Sequence, residues 1–247
     1  MSRQRYAILD LLRGLLFINM VAYHGLYDWV YLFDLPCPFL ESHGAWLWQQ
    51  SICSGFILLA GCCATLSRHP AKRGMQLVLC ALLVTVTTWL IMPQERILFG
   101  ILHLMGASYL LTALSHPLLD RLPRSCMLLL SLLLFAFTRG IYYGYVGFLD
   151  HAIWMLPDSW YQYDWLFWLG LPAADFFSSD YFPLVPWFFL FLAGYQAAPL
   201  VLHSRFFQAI QHWQLPPVNQ IGRHTLLLYL LHQPVLYGVL SLFTMLF

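Results

Sequence analysis

Four ionisable residues interrupt the first long apolar segment of the chain, residues 7–33: Asp10, Arg13, His24 and Asp28. At 100° per residue their positions fall within an arc of roughly 60°, so all four share one face of a helix. Charged side chains in a membrane helix are costly and normally face a protein interior or a watery cavity, where they exchange protons or bind substrate. For Asp10 and Arg13, the alternative is a structural ion pair that holds helices together.

The composition predicts that this segment lies in a membrane. Hydrophobic residues make up 60% of the 247 residues and charged residues only 9%, with a mean hydropathy of +0.67. Too few polar groups remain to cover the surface of a water-soluble globule. The net charge of +1 and the absence of basic runs also argue against nucleic acid binding.

Stretches long enough to cross about 30 Å of hydrocarbon predict about seven or more transmembrane helices. They cover residues 7–33, 45–67, 75–92, 97–115, 126–148, 185–202 and 225–247. The fifth is interrupted at 138–140, and residues 160–171 fit either an interfacial amphipathic helix or a short extra pair of crossings. The predicted fold class is an all-α, polytopic integral membrane helical bundle, with residues 1–247 forming a single transmembrane domain.

Loop charges predict the orientation of this bundle. Cations occupy alternate loops, namely Arg3, Arg5, Arg68, Lys72, Arg73, Arg121, Arg124, Arg205 and Arg223. The other loops carry mostly acids, namely Asp34, Glu41, Glu95, Asp150, Asp158, Asp164, Asp175 and Asp180, with Arg96 as their one cation. Because cations in short loops resist translocation, we expect a cytoplasmic N-terminus and an outer C-terminus. Asp10 and Arg13 within its apolar region indicate that the first segment is a retained helix and not a cleaved signal peptide.

Cysteine and histidine spacing predicts neither a disulfide framework nor a metal centre. Five of the six cysteines lie in or at the ends of predicted spans, where cysteine behaves as a small hydrophobe. The ten histidines are scattered, with no pair at a spacing of three or four residues.

Short motifs follow one another in a fixed order along nearly the whole chain. The first comprises Arg5, Asp10, Arg13, Gly14, Met20, His24, Asp28, Gly55, Phe56 and Gly61. Later come FGILH at 99–103, DYFPLVPW at 180–187, GRHT at 222–225, and Tyr229 followed by HQP at 232–234. In this order the chain resembles the heparan-α-glucosaminide N-acetyltransferase catalytic-domain family.

The resemblance implies a membrane-embedded acyltransferase. Such an enzyme takes an acetyl or short acyl group from acyl-CoA (acetyl-CoA) at the cytoplasmic face, without a metal, and passes it to an amine or hydroxyl of a sugar reached from the other face. The chain lacks the additional outer domain and spans of the animal lysosomal members. We therefore expect a bacterial envelope glycan as acceptor and a multi-pass location among the lipids of the bacterial inner (cytoplasmic) membrane. Whether copies associate as a homo-oligomer is open.

Acyl transfer from a thioester needs a base for the acceptor and donors for the developing oxyanion. His24 is the favoured base, with Asp28 one turn away to hydrogen-bond the imidazole. His103 and Asp180 are expected at a similar depth, around one shared chamber. His43 is a competing base, because the proposed catalytic histidine of the animal members falls in the loop after the first span.

Cations are expected to bind the phosphates of coenzyme A. We assign this role to Arg13 and Arg223, with Arg68 and Arg73 behind them, although loop arginines are also explained by topology alone. His232 lines the same tunnel, or donates a hydrogen bond at a kink caused by Pro234.

Two alternatives belong to other functional classes. The ionisable residues within the spans also suit a transporter or flippase of a small polar or lipid-linked substrate, although two similar halves are missing. A noncatalytic membrane scaffold is the other alternative.

Overall fold

The computed structural model describes residues 6–148 and 151–246, and 75% of this part is helical. The α-helices of this part are α1 (Ala7–Tyr31), α2 (His43–Thr65), α3 (Pro70–Ile91), α4 (Ile101–Leu119), α5 (Arg124–Phe137), α6 (Leu184–Leu202), α7 (Arg205–Ile210), α8 (Pro216–Arg223) and α9 (Thr225–Leu246). The prediction of an all-α polytopic membrane bundle is confirmed.

Six helical segments are long and apolar enough to cross a membrane. They comprise α1, α2, α3, α6, α9 and the segment Arg124–Tyr143, which begins with α5. Helix α4 is 19 residues long and carries His103, His116 and Pro117, and it is not among the six. The exact number of crossings and the cytoplasmic N-terminus therefore stay predictions. Arg3, Arg5 and Asp150, which entered the orientation argument, lie outside the described residues.

Helix α5 ends at Phe137, at the interruption predicted for residues 138–140, and the predicted span does not continue as an α-helix to residue 148. After it come a 3₁₀ turn, Ile141–Tyr143, and an antiparallel hairpin of β1 (Tyr145–Phe148) and β2 (His151–Met155). Gly144, at φ +84°, supplies the left-handed conformation that ends the turn, which a side chain with a Cβ rarely adopts.

Residues 160–171 differ from the expectation in the type and length of their helices. This segment holds neither an amphipathic α-helix nor a pair of crossings, but parts of two short 3₁₀ helices, Asp158–Gln162 and Asp164–Leu169. At five and six residues, each is far too short to span a bilayer. The second ends at Gly170, whose φ of +101° again requires glycine.

The contacts divide the chain into two compact units, which we describe separately. Unit 1 comprises Met1–Phe56 with His203–Phe247, and unit 2 comprises Ile57–Leu202. The first part of α2 thus belongs to unit 1 and the rest to unit 2.

In unit 1, glycines allow α8 to lie directly against α1. A Cβ on Gly14 would overlap the carbonyl oxygen of Val218, and one on Gly222 would overlap that of Asp10. Asn219 adds a polar tie, because its Nδ2 donates to the carbonyl of Ala7 at 2.7 Å. Small residues at such crossings are the usual means of close helix packing in membranes.

In unit 2, glycines again mark the closest helix approaches. A Cβ on Gly61 of α2 would overlap the carbonyl oxygen of Phe191 on α6. Between α3 and α4, a Cβ on Gly74 would lie 2.9 Å from the carbonyl oxygen of Gly106. The interior of this unit includes Phe191 at 0% exposure and also the fully buried polar side chain of Gln196.

Candidate functional site

Asp10 is the centre of an ionic cluster where α1 meets α8. Its side chain lies 3.0 Å from Nη1 of Arg13 and 3.7 Å from Nε of Arg223, and the residue is only 4% exposed. The two arginines assigned to phosphate binding are thus brought together around one carboxylate. The structural ion pair left open by the sequence is present, and phosphate binding by Arg13 and Arg223 stays a prediction.

Two histidines from different helices face each other further along α1. The ring centroids of His24 on α1 and His232 on α9 lie 5.1 Å apart, with the ring planes at 63°. Aromatic neighbours flank the pair, with Tyr23 against His24 and Phe17 against His232, both at 6.4 Å. Both histidines are half-buried, so they sit in a partly desolvated setting.

The geometry of His232 fixes its tautomer. Its Nδ1 lies within hydrogen-bonding distance of the carbonyl oxygen of Tyr229. A carbonyl oxygen only accepts, so Nδ1 carries the proton and Nε2 of the neutral ring presents a lone pair. Nε2 is buried and has no hydrogen-bond partner among the described residues. It is therefore available as a proton acceptor.

Asp28 lies one turn beyond His24 and is fully buried, at 0% exposure. Its Oδ1 accepts a hydrogen bond from Nε2 of Gln233 on α9, at 2.6 Å. The expected hydrogen bond between Asp28 and His24 stays a prediction. The donor that the structure shows on this carboxylate comes from α9.

Gln233 is a residue that sequence reasoning missed as a partner. It directly follows His232 in the HQP motif, so a polar pair within an apolar helix was the available signal. We call His24, Asp28, His232 and Gln233 the α1–α9 polar cluster. Gln233 Oε1 is also buried without a partner among the described residues. With His232 Nε2 it presents two acceptors, which suit a ligand that brings N–H or O–H groups.

Asp180 lies in unit 2 and caps the N-terminus of α4 from 79 residues away. Its Oδ2 accepts a hydrogen bond from the backbone N–H of Ile101 at 3.0 Å. A Cβ on Gly100 would overlap the same oxygen, so glycine gives the carboxylate room. Burial raises the pKa of Asp180 to about 6, against the lowering effect of the Ile101 N–H. A carboxyl with this pKa is suited to proton exchange near neutral pH.

The segment around Asp180 is fixed to the residues before α4. Ser178 Oγ accepts from the N–H of Leu98 at 2.9 Å, and Ser179 Oγ donates to the carbonyl of Glu95 at 2.8 Å. These two hydrogen bonds fix the segment that carries Asp180, although this segment forms no helix or strand.

His103 is half-buried two residues after Ile101 and stacks on Phe99, with ring centroids 5.6 Å apart. His103 and Asp180 thus both belong to the start of α4. A chamber that they share with His24 and Asp28 stays a prediction.

His43 begins α2 as an exposed side chain that stacks on Trp46, with centroids 5.2 Å apart. His43 therefore lies at the surface, whereas His24 is half-buried. Within residues 6–148 and 151–246, no group of three or more histidine, cysteine or acidic side chains is placed to hold a metal ion.

Comparison with protein families identifies the family of this chain. The family described as "Heparan-alpha-glucosaminide N-acetyltransferase, catalytic" matches residues 5–234, nearly the whole chain. The chain belongs to this family, as its motifs predict. Membership supports a membrane acetyltransferase-like function and, in general, the use of acetyl-CoA and a sugar acceptor. Comparisons with curated proteins and with solved structures gave no significant match.

Proposed function

We propose that this protein is a membrane-embedded acyltransferase that moves an acetyl or short acyl group from cytoplasmic acyl-CoA to a sugar amine or hydroxyl. The acceptor is a glycan of the bacterial envelope, and the enzyme resides in the bacterial inner membrane. The observation that carries the proposal is the α1–α9 polar cluster, in which acceptors from two helices converge within apolar segments.

His24 is the favoured proton acceptor of the proposed reaction, and His232, whose Nε2 has no partner among the described residues, is a second candidate beside it. The N–H or O–H proton of the acceptor passes to the imidazole as the nitrogen or oxygen attacks the thioester carbonyl. The new C–N or C–O bond forms, the C–S bond breaks, and the departing thiolate receives the proton from the imidazolium. Direct transfer requires no covalent enzyme intermediate, whereas a route through an acyl-histidine would.

Asp28 and Gln233 position the acceptor in this proposal. The amide of Gln233 holds the Asp28 carboxylate on one side, which leaves Gln233 Oε1 to accept a hydrogen bond from the sugar. Arg13 and Arg223 attract the phosphates of the donor. Asp180 and His103 are further candidates for proton exchange.

The test is thiol release from acetyl-CoA by the purified protein, with sugar amines as acceptors. Acceptor-dependent release is expected. Acetyl-CoA that stays intact with every acceptor, while the helices remain folded by circular dichroism, would overturn the proposal.

A further inference from the structure

A cavity of about 560 Å³ in unit 2 shares no lining residue with the α1–α9 polar cluster. It lies at the turn between α2 and α3, and we call it the turn cavity. It is lined by Arg68, His69, Pro70, Ala71, Lys72, Ala113 and His116. Its volume lies within the range of about 300–1,000 Å³ that small-molecule sites occupy.

Two of the seven residues that line the turn cavity are cations. Arg68 and Lys72 are exposed and form no ion pair within the described part of the chain. The carboxylate near the cavity is that of Asp120, 3.5 Å from Nδ1 of His116. It is also held by Nη2 of Arg124 at 3.1 Å. The two cations therefore keep their charge available for a ligand.

Backbone groups at the start of α3 add to this charge. His69 precedes the helix without a side-chain capping bond, and Pro70 occupies its first turn. The N–H groups of Ala71 and Lys72 thus lack intrahelical partners, and the positive end of a 22-residue helix adjoins the cavity. Such a helix end favours anions, and here it coincides with two side-chain cations.

We propose that the turn cavity binds phosphate groups. One source is the ribose phosphate and pyrophosphate of the acyl donor, a version that rests on the proposed function. The other source is the headgroup of an anionic phospholipid. Both present the same phosphate oxygens to the guanidinium of Arg68 and the ammonium of Lys72.

Calorimetric titration of the detergent-solubilised protein with adenosine 3′,5′-bisphosphate tests the donor source. In the double variant Arg68→Gln/Lys72→Gln, we expect affinity to fall by roughly tenfold or more, because charge-assisted hydrogen bonds are lost. Arg121→Gln is the matched control, since it removes an exposed cation of the same unit that does not line the cavity. It should leave affinity within about twofold.

Native mass spectrometry tests the lipid source. The protein is released from nanodiscs that contain either phosphatidylglycerol or phosphatidylcholine, and retained lipid is counted. If the headgroup is the ligand, phosphatidylglycerol is retained by the native protein and by Arg121→Gln but lost from the double variant.

Failure of the native protein to bind either probe would overturn the proposal. So would equal weakening by Arg121→Gln and the double variant, because general charge would then explain the binding. Neither readout requires acyl transfer. An inactive protein that still binds phosphate through Arg68 and Lys72 would therefore refute the proposed function alone.

Discussion

Gln233 donates a hydrogen bond of 2.6 Å to the carboxylate of Asp28, joining two residues 205 positions apart. The carboxylate is fully buried, so a charge-assisted bond here is worth more than one exposed to water. This bond fixes α9 against α1 at the level where His24 and His232 meet. The chemistry we propose and the packing of these two helices therefore depend on the same side chains.

Removing the amide should destabilise the protein. We expect Gln233→Ala to lower the free energy of unfolding by about 1.5–3 kcal/mol, because a buried carboxylate loses a donor. Thermal unfolding in detergent, followed by circular dichroism, measures the change. The control is Gln214→Ala, which alters an exposed glutamine of the same unit. Equal melting of both variants would show that the bond contributes nothing.

Glycine at position 222 should be required for α8 to pack on α1. A methyl group there would overlap the Asp10 carbonyl oxygen, so Gly222→Ala should cost about 1–3 kcal/mol through overpacking. At Gly238 of α9, a Cβ would meet nothing within 4 Å. Gly238→Ala should therefore be neutral or gain up to about 1 kcal/mol in helix stability. Unfolding of both variants in the same detergent is the measurement, and similar losses would contradict the close α1–α8 approach.

The carboxyl of Asp180 should make stability depend on pH. Its pKa is raised to about 6 in the folded protein, so its contribution is greatest at low pH and is lost as pH rises through 6. Asp180→Asn keeps an oxygen for the Ile101 N–H and removes the charge. We expect this variant to be more stable than the native protein by about 1–3 kcal/mol at pH 7.5, and equally stable near pH 4.

Unfolding curves between pH 4 and 8 test this expectation, with Asp175→Asn as the exposed control in the same loop. If the free energy of unfolding of Asp180→Asn differs from that of the native protein by the same amount at every pH in that range, the expectation is contradicted. If Asp180 also exchanges a proton in catalysis, Asp180→Asn will lose acyl transfer despite its greater stability.

Replacement of single histidines should distinguish the competing bases. His24 packs against His232, whereas His43 is exposed and stacks on Trp46. We expect His24→Ala and His232→Ala each to lose roughly 100-fold or more of the acyl-transfer rate, the usual contribution of a general base. His43→Ala should stay close to the native rate. An active His24→Ala together with an inactive His43→Ala would move the base to position 43.

The polar face of α1 could be predicted from sequence because ionisable side chains are costly in a membrane unless they are sheltered. Ionisable residues in an apolar segment must be sheltered, and their spacing placed Asp10, Arg13, His24 and Asp28 on one face. The helix itself, Ala7–Tyr31, ends two residues before the predicted boundary. Asn19, off that face, instead accepts a hydrogen bond from Trp48 of α2 at 3.0 Å.

The residues that contact the polar face of α1 could not be predicted from the sequence. Periodicity gives the face of a helix but not which helix covers it, so the hydrogen bond from the Gln233 amide of α9 to Asp28 was not predicted. The close α1–α8 crossing at Gly14 and Gly222 is likewise a long-range relationship.

The region after α5 was misjudged for another reason. Its aromatic residues are apolar enough to suggest membrane segments, but hydropathy does not detect short turns. Gly144 and Gly170 adopt positive φ there, which divides the chain into 3₁₀ turns and a hairpin.

The central claim is that the α1–α9 polar cluster supports acyl transfer. Its most direct test is the rate of thiol release from acetyl-CoA by purified protein with and without sugar amines, repeated for the double variant His24→Ala/His232→Ala. We predict acceptor-dependent release that falls at least about 100-fold in the folded double variant. Release that is undiminished in that variant, or absent from the native protein with every acceptor, would contradict the claim.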